Sequence, residues 1–509
     1  MNAHRLKKFA VPLFLFLFSL LLRLSLISLG PFHGDCLNLA LQAEETLATL
    51  RIHPLPGFGY PLTVLLGAGF IGVTRFLGND NPVFAVNLMS VVFGALGIPL
   101  LYLLAKKLFN GTTALFSAVL FSLHPFFLGV SLFGMSHTPS IFFLLAGLLL
   151  LSYYKKNARR LYLLLSGGAL GLAGAARLQD LILMLVPVAF FFFFVNGTSS
   201  PKRQEASLAS SKTKEFLLLG AVILLTALPL HLPLFVNENY RRAAAFSWFW
   251  EKQLVTNFLG LFSFPLKVSF GMILDSLSWG GILGVLVGLG LLASQDIKKF
   301  IFLLLWFCVP FFFYGNVYTA TSRFFIPAVI PLLIVEGYLL ARLYSCRFRA
   351  LRIFALLVFF FILAWTGKNV FPVFMFRHRN APLVEFSRWV NTMTEPNAVL
   401  IVSDERKFIE YYGGRKAVHN PCGIYFVNKQ ALGEFKQWLD GQLQNHIPVY
   451  ITGSGLVSGD ISHEFRDLIQ DHYSLKFIGR QLAEDWHRGE TKLCIGQESL
   501  YKLAPQPEQ

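Results

Sequence analysis

The chain has 509 residues, 55% of them hydrophobic and 14% charged, with a mean hydropathy of +0.57. Soluble domains carry about a quarter charged residues, so this composition excludes an ordinary soluble protein and points to lipid as the main solvent. The formal charge of +16 is no nucleic-acid signal, because residues 374–509 hold 15 Lys+Arg and 16 Asp+Glu of totals of 44 and 28, leaving 29 basic and 12 acidic residues for 1–373. Basic charge lodged between apolar stretches marks membrane topology or meets anionic lipid.

The first apolar stretch follows Arg5, Lys7 and Lys8 and lacks a small-residue cleavage site, so it reads as a retained anchor. Eleven spans are expected: 9–29, 84–105, 114–132, 138–154, 161–176, 178–195, 215–235, 271–294, 300–314, 324–343 and 353–373. The apolar stretch 59–78, with Pro61 and Arg75, reads as a helix lying at the membrane surface. With the N-terminus inside, the inner loops carry 19 Lys and Arg, and the outer segments before residue 374 carry 8. That bias follows the positive-inside rule; counting 59–78 as a span would invert it.

The fold class expected is therefore an α-helical polytopic membrane protein with a small extracytoplasmic C-terminal α/β domain. Residues 1–373 form the transmembrane part, with a first outer loop at 30–83, and residues 374–509 form the outer domain. Strands are expected at 398–403, 448–453 and 475–479, with amphipathic helices near 434–443 and 463–471. The five cysteines match no zinc or redox spacing, and Cys422 and Cys494 could pair if the outer domain meets an oxidising compartment. No phosphate loop and no metal-ligand spacing occurs.

Few residues of the membrane part can do acid–base work. Asp35, in Pro31-Phe32-His33-Gly34-Asp35, sits where the chain leaves the first span. Two readings compete there: a base reaching a headgroup and an acceptor hydroxyl, or an N-cap for a helix starting near Leu37. Glu44 and Glu45 read as a solvated helix face, and Asp80, in Gly78-Asn79-Asp80-Asn81-Pro82, as a turn. Glu336 lies within a span, where an acid is either functional or a structural hydrogen-bonding group. Arg177 closes the small-residue run Gly171–Ala176, and Arg323 opens a later span from the same side. Either arginine could merely snorkel to the interface; gathered with His53 and an acid, both would suit a lipid phosphate. His124 and His137 suit structural roles better than ligand roles.

These residues resemble the integral-membrane glycosyltransferases of the C superfamily, particularly the branch of protein O-mannosyltransferases and lipid A aminoarabinose transferases. The likeness rests on His33-Gly34-Asp35 in the first outer loop, Tyr60-Pro61 opening a surface helix, Gly174-Ala175-Ala176-Arg177, Arg323-Phe324-Phe325-Ile326-Pro327, and Phe408-Ile409-Glu410-Tyr411-Tyr412-Gly413-Gly414-Arg415. It implies sugar transfer from a polyprenyl-phosphate donor to a hydroxyl of a lipid, glycan or protein, with inversion, in a bacterial inner membrane. Asp35 would be the base, Arg177, Arg323 and His53 would hold the donor phosphate, and His33, Tyr60 and His137 would line the acceptor or donor pocket. Cys36 follows Asp35 where such proteins often have Glu, and His137 stands where many carry an acid, so no cofactor is called for and a divalent metal lacks support. A transporter or lipid flippase is the alternative; the matched interrupted helices such a carrier would show are not seen.

Overall fold

The computed structural model describes residues 3–55, 60–195, 205–236, 264–315, 321–403, 405–421, 429–457, 460, 463–484 and 495–506. They divide into two compact units: Met1–Ser28 with Leu39–His378, and Leu29–Asn38 with Arg379–Gln509. Cys422 and Cys494 lie outside the described residues.

The first unit is built of helices whose ends follow local chemistry. The run begins α1 (Ala3–Leu24), α2 (Gly34–Thr49), α3 (Pro61–Phe76) and α4 (Pro82–Leu108). The turn before α4 is the one expected around Asp80: Asn81 Oδ1 accepts from the amides of Val83 and Phe84, and Pro82 takes the first helical position, where no amide is needed. The expected span 114–132 is instead two helices, α5 (Gly111–Leu123) and α6 (Pro125–Val130). The break is Pro125, which holds His124 in an extended conformation at φ −61°, ψ 130°. Next come α7 (His137–Asn157), α8 (Arg160–Ala176), α9 (Leu178–Phe194) and α10 (Glu205–Val236). Lys155 on α7 donates to the end carbonyls of Phe191 and Phe192, closing α9. Small residues let α8 sit close to its neighbours, since a β-carbon on Gly171 would lie 2.7 Å from the Ile223 carbonyl oxygen.

The run continues with α11 (Phe264–Gln295), α12 (Ile297–Gly315), a 3-10 turn (Ser322–Phe325) and α13 (Ile326–Tyr344), and then α14 (Arg349–Arg379). Seven described helical stretches are long and apolar enough to cross a membrane, and five shorter ones are apolar too. The stretch holding α13 is the inner one, 94% buried, whereas the stretch starting at Arg349 is only 22% buried and turns its Phe and Leu side chains outward as lipid-facing helices do.

Buried within α1 is Arg23, which the apolar run around it conceals in the sequence. It donates to Ser131 Oγ (3.1 Å) and the Ser122 carbonyl (3.3 Å) and lies over the Phe127 ring. A serine cage of this kind satisfies a guanidinium that hydrocarbon could not.

The second unit carries α15 (Pro382–Met393), β1 (Val399–Val402), α16 (Arg406–Tyr412), β2 (Lys416–His419), α17 (Lys429–Gln444), β3 (Val449–Thr452), α18 (Gly453–Val457), α19 (Glu464–His472), β4 (Tyr473–Glu484) and β5 (Ile495–Pro505). The sheet order is β2-β1-β3-β5-β4, parallel across β2, β1 and β3 and antiparallel beyond. Both central parallel strands are buried along their whole length, as strands covered on two faces must be. Ile401, Val449 and Ile451 on one side and Leu400 and Val402 on the other are buried, each worth roughly 1.5–3 kcal/mol. The segment Leu29–Asn38 packs into this unit: a β-carbon on Gly30 would lie 2.9 Å from Ala381 Cβ.

Candidate active site

Arg177 stands between α8 and α9 at φ −161°, ψ 97°: its amide still closes α8 on the Ala173 carbonyl, but its extended backbone ends the helix there and the side chain is buried in the unit. Its side chain is 2% exposed. Nε lies 3.2 Å from Asp180 Oδ1, and Nη1 donates to Ser136 Oγ at 3.3 Å. Asp180 occupies the first turn of α9, where a carboxylate meets the positive end of the helix dipole. Ser140 donates to its Oδ2 at 2.9 Å and Tyr314 to its Oδ1 at 3.2 Å. Asp180 is thus saturated with donors. Arg177 is not: Nη2 is buried and makes no hydrogen bond.

Around this pair stand aromatic rings. The Arg177 guanidinium carbon lies 5.0 Å from the Phe324 ring centroid and 5.7 Å from that of Tyr60. Arg323 lies 5.5 Å from the same Phe324 ring, and His137 faces it at 6.0 Å between centroids. Tyr314 stacks on Phe324 at 5.3 Å. Tyr60 is fixed from two sides. Its hydroxyl accepts from Gln179 Nε2 at 3.0 Å, and its backbone holds the left-handed conformation at φ 44°, ψ 53°, which costs roughly 1–2 kcal/mol for a residue with a β-carbon. Four residues singled out in the sequence therefore meet here: Arg177, Arg323, Tyr60 and His137. Two buried guanidinium groups against aromatic faces, one with an open donor, suit an anion whose oxygens fit a guanidinium fork.

His53 lies elsewhere, its ring bonded to Thr49 Oγ1 at 2.9 Å and 3.3 Å from a Glu45 carboxylate oxygen. Glu44 pairs with Arg75.

Asp35 belongs to the second unit. Of the two readings of Asp35, the N-cap is not the one seen, because α2 starts at Gly34 and puts Asp35 inside the first turn. His33 supplies the cap instead: its Nδ1 accepts the Asp35 amide at 2.9 Å. Asp35 Oδ2 lies 3.4 Å from the same nitrogen. The Asp35 side chain is 57% exposed, open enough to receive a proton from an incoming hydroxyl. Tyr412 sits by Cys36 in this unit; burial, with Tyr411 and Cys36 adding to it, pushes its phenol up.

Among the described residues no group of three or more His, Cys, Asp or Glu is arranged to hold a metal ion. Sequence reasoning counted Asp180 among the outer acids without giving it a role, and gave none to Ser136, Ser140, Gln179 or Tyr314. Two spacings carried the signal: Arg177 and Asp180 three apart across a helix start, and Ser136 and Ser140 four apart at the start of α7, Ser136 being its N-cap.

Residues 66–231 match the family described as dolichyl-phosphate-mannose-protein mannosyltransferase, a stretch that contains His137, Arg177 and Asp180. No curated protein matches. Among solved structures, the Archaeoglobus fulgidus oligosaccharyltransferase in complex with Zn and sulfate is similar with a TM-score of 0.59 and 16% identity, over 91% of this chain and 71% of that one. ArnT from Cupriavidus metallidurans bound to undecaprenyl phosphate is similar with a TM-score of 0.58 and 12% identity, over 99% of this chain and 98% of that one. The arabinofuranosyltransferase AftD from Mycobacteria is similar with a TM-score of 0.54 and 14% identity, over 97% of this chain and 40% of that one. The resemblance read from the motifs thus stands: the chain has the fold of the C-superfamily membrane glycosyltransferases.

Proposed function

We propose that this chain, having the C-superfamily fold, is a membrane glycosyltransferase that moves a sugar from a polyprenyl-phosphate donor to an acceptor hydroxyl on the extracytoplasmic face, with inversion. One observation carries the reading: Arg177 and Arg323 share the Phe324 ring while Arg177 keeps a buried, unbonded Nη2. A buried donor without an acceptor costs about 1–3 kcal/mol, and a lipid phosphate oxygen would remove that cost. A protein of the same fold bound to undecaprenyl phosphate supports the choice of ligand.

In the reaction, Asp35 takes the proton of the acceptor hydroxyl, and the hydroxyl oxygen bonds to the anomeric carbon on the face opposite the phosphate. The bond from that carbon to the phosphate oxygen breaks, and both electrons leave with the polyprenyl phosphate. Arg177 and Arg323 offset the charge that develops there. His137 and Tyr60 shape the apolar wall beside the phosphate. His53, which follows α2 and is bonded to Thr49 at its end, is given no part in the step.

Membranes containing the protein, incubated with radiolabelled polyprenyl-phosphate sugars, should yield a labelled acceptor. Movement of the intact donor across the bilayer with no labelled product would instead favour a flippase.

A further inference from the structure

Tyr60 stands at the head of α3 in a backbone conformation that residues with a β-carbon seldom adopt, φ 44°, ψ 53°, and Pro61 after it opens the helix. Such strain persists only where the surroundings fix it, and it gathers at ligand sites. Two hydrogen bonds do the fixing here, one from each side of Arg177. Thr63 Oγ1 donates to the carbonyl of Ala176, the residue before Arg177, at 3.0 Å. Gln179 Nε2, two residues after Arg177, donates to the Tyr60 hydroxyl at 3.0 Å. The head of α3 is thereby tied to the turn between α8 and α9.

A phenol has one proton to give and lone pairs to receive. Gln179 fills a lone pair of Tyr60, so the hydroxyl is left as a donor, and its proton finds no acceptor among the described residues. The Gln179 side chain is almost sealed, with Oε1 buried and unpaired. Turned over, the same amide would accept from Tyr60 and use up that proton; it is the donor end that faces the phenol.

The Tyr60 ring centroid lies 5.7 Å from the Arg177 guanidinium carbon, and the Tyr60 hydroxyl is near enough to act on the Arg177 charge. Arg177 Nη2 is the other donor left over. Two unspent donors on neighbouring side chains call for a ligand with several acceptor oxygens and negative charge, which is the chemistry of a phosphate.

We propose that Tyr60 is a third ligand of the donor phosphate, beside Arg177 and Arg323, and that Gln179 is its positioning residue. The ring of Tyr60 stays part of the wall, and its hydroxyl reaches the phosphate oxygen. Being neutral, the phenol adds a hydrogen bond without adding to the positive charge from which polyprenyl phosphate must afterwards depart. The inference rests on the transferase reading for the identity of its ligand.

The probe is radiolabelled undecaprenyl phosphate, bound at equilibrium to the purified full-length protein in detergent, so that no sugar transfer enters the measurement. Tyr60→Phe keeps the ring and should bind the probe roughly ten- to a hundredfold more weakly, the range for one hydrogen bond to a charged group. Gln179→Leu should lose less, because the hydroxyl keeps its proton and only its aim is freed. The double variant should bind no more weakly than Tyr60→Phe alone, since Gln179 acts through Tyr60. A Gln179 that only packs α9 would give losses that add. Wild-type binding in Tyr60→Phe, or additive losses, overturns the inference and leaves the phosphate site at Arg177 standing. Absence of saturable binding in the wild type overturns both. Should Tyr60→Phe not fold, Gln179→Leu decides: weaker binding supports the aim given to Tyr60, and unchanged binding overturns it.

Discussion

Arg177 Nε and Asp180 Oδ1 lie 3.2 Å apart, with both side chains all but sealed from solvent. Burying a charge pair is costly, and removing one partner is costlier still. Asp180→Ala should therefore lower stability by about 3–5 kcal/mol. Asp180→Asn, which keeps acceptor geometry at one oxygen, should fold with a smaller loss. If Asp180 serves only to hold the helices, activity per folded molecule stays normal in Asp180→Asn. If it aims Arg177, the KM for the donor rises.

Asp35→Asn keeps size and polarity but removes the basic lone pair. Turnover should fall by roughly two to four orders of magnitude, with protein amount and thermal stability unchanged. Since His33 and not Asp35 caps α2, no helix-capping loss accompanies the change. Near-normal turnover would falsify the assignment.

Arg177→Lys and Arg323→Lys separate grip from snorkelling. Lysine snorkels as well as arginine but cannot offer a fork. Loss of activity concentrated at low donor concentration is expected where the grip exists in the ground state, and a uniform loss where it forms only as the phosphate departs. Arg177→Lys should be the more damaging, because it also disturbs Asp180 and Ser136. Wild-type kinetics in both variants would mean that the phosphate is held elsewhere.

In the second unit, burial opposes ionisation of Glu395, but hydrogen bonds from Lys502 and Tyr450 outweigh it and hold the carboxyl down at about 2. A depressed folded-state pKa adds stability above the ordinary carboxylate range near 4.5 and loses it as pH falls toward 2. The pair is more than a third exposed, so screening limits the contribution to about 1 kcal/mol or less. Glu395→Gln should lower the stability of this unit at neutral pH by that small amount and make its loss in the acid window shallower, the two proteins converging as pH approaches 2. An unchanged acid limb would show that the pair adds nothing.

Sidedness is open to cysteine labelling in intact cells. Cysteines placed at Asn157 and Thr213 should react only after permeabilisation, and one at Lys436 before it. Labelling of position 436 only from inside would remove the extracytoplasmic reading.

Much of the fold was legible because it is written in long apolar runs and in the basic loops between them. The expected spans fall in helical stretches, 114–132 on two helices rather than one, and the three expected strands fall on β1, β3 and β4. What escaped has local reasons. The Pro125 break lies in a run so apolar that hydropathy hides it. Arg23 vanishes into the first run in the same way. β2 is only four residues long, and β5 alternates polar residues that a solvated segment would also carry. In the site, Arg177 and Arg323 announce themselves as charges at the ends of apolar runs, and Tyr60 by the proline after it. Asp180 hides because an acid near a helix start has a bland explanation; only packing shows that Ser140 and Tyr314 converge on it.

Leu29–Asn38 folds with residues 379–509, although some 340 residues of chain separate them. The C-terminal part is therefore not a detachable accessory. A chimera that exchanges it with a related protein while keeping the native first loop would set Gly30 against a foreign residue in place of Ala381, and Cys36 against a foreign residue in place of Tyr412. In sequence evolution the two stretches are bound to change together, as one inherited module split across the chain. Any deletion of the distal part would be felt first at the segment that bears Asp35.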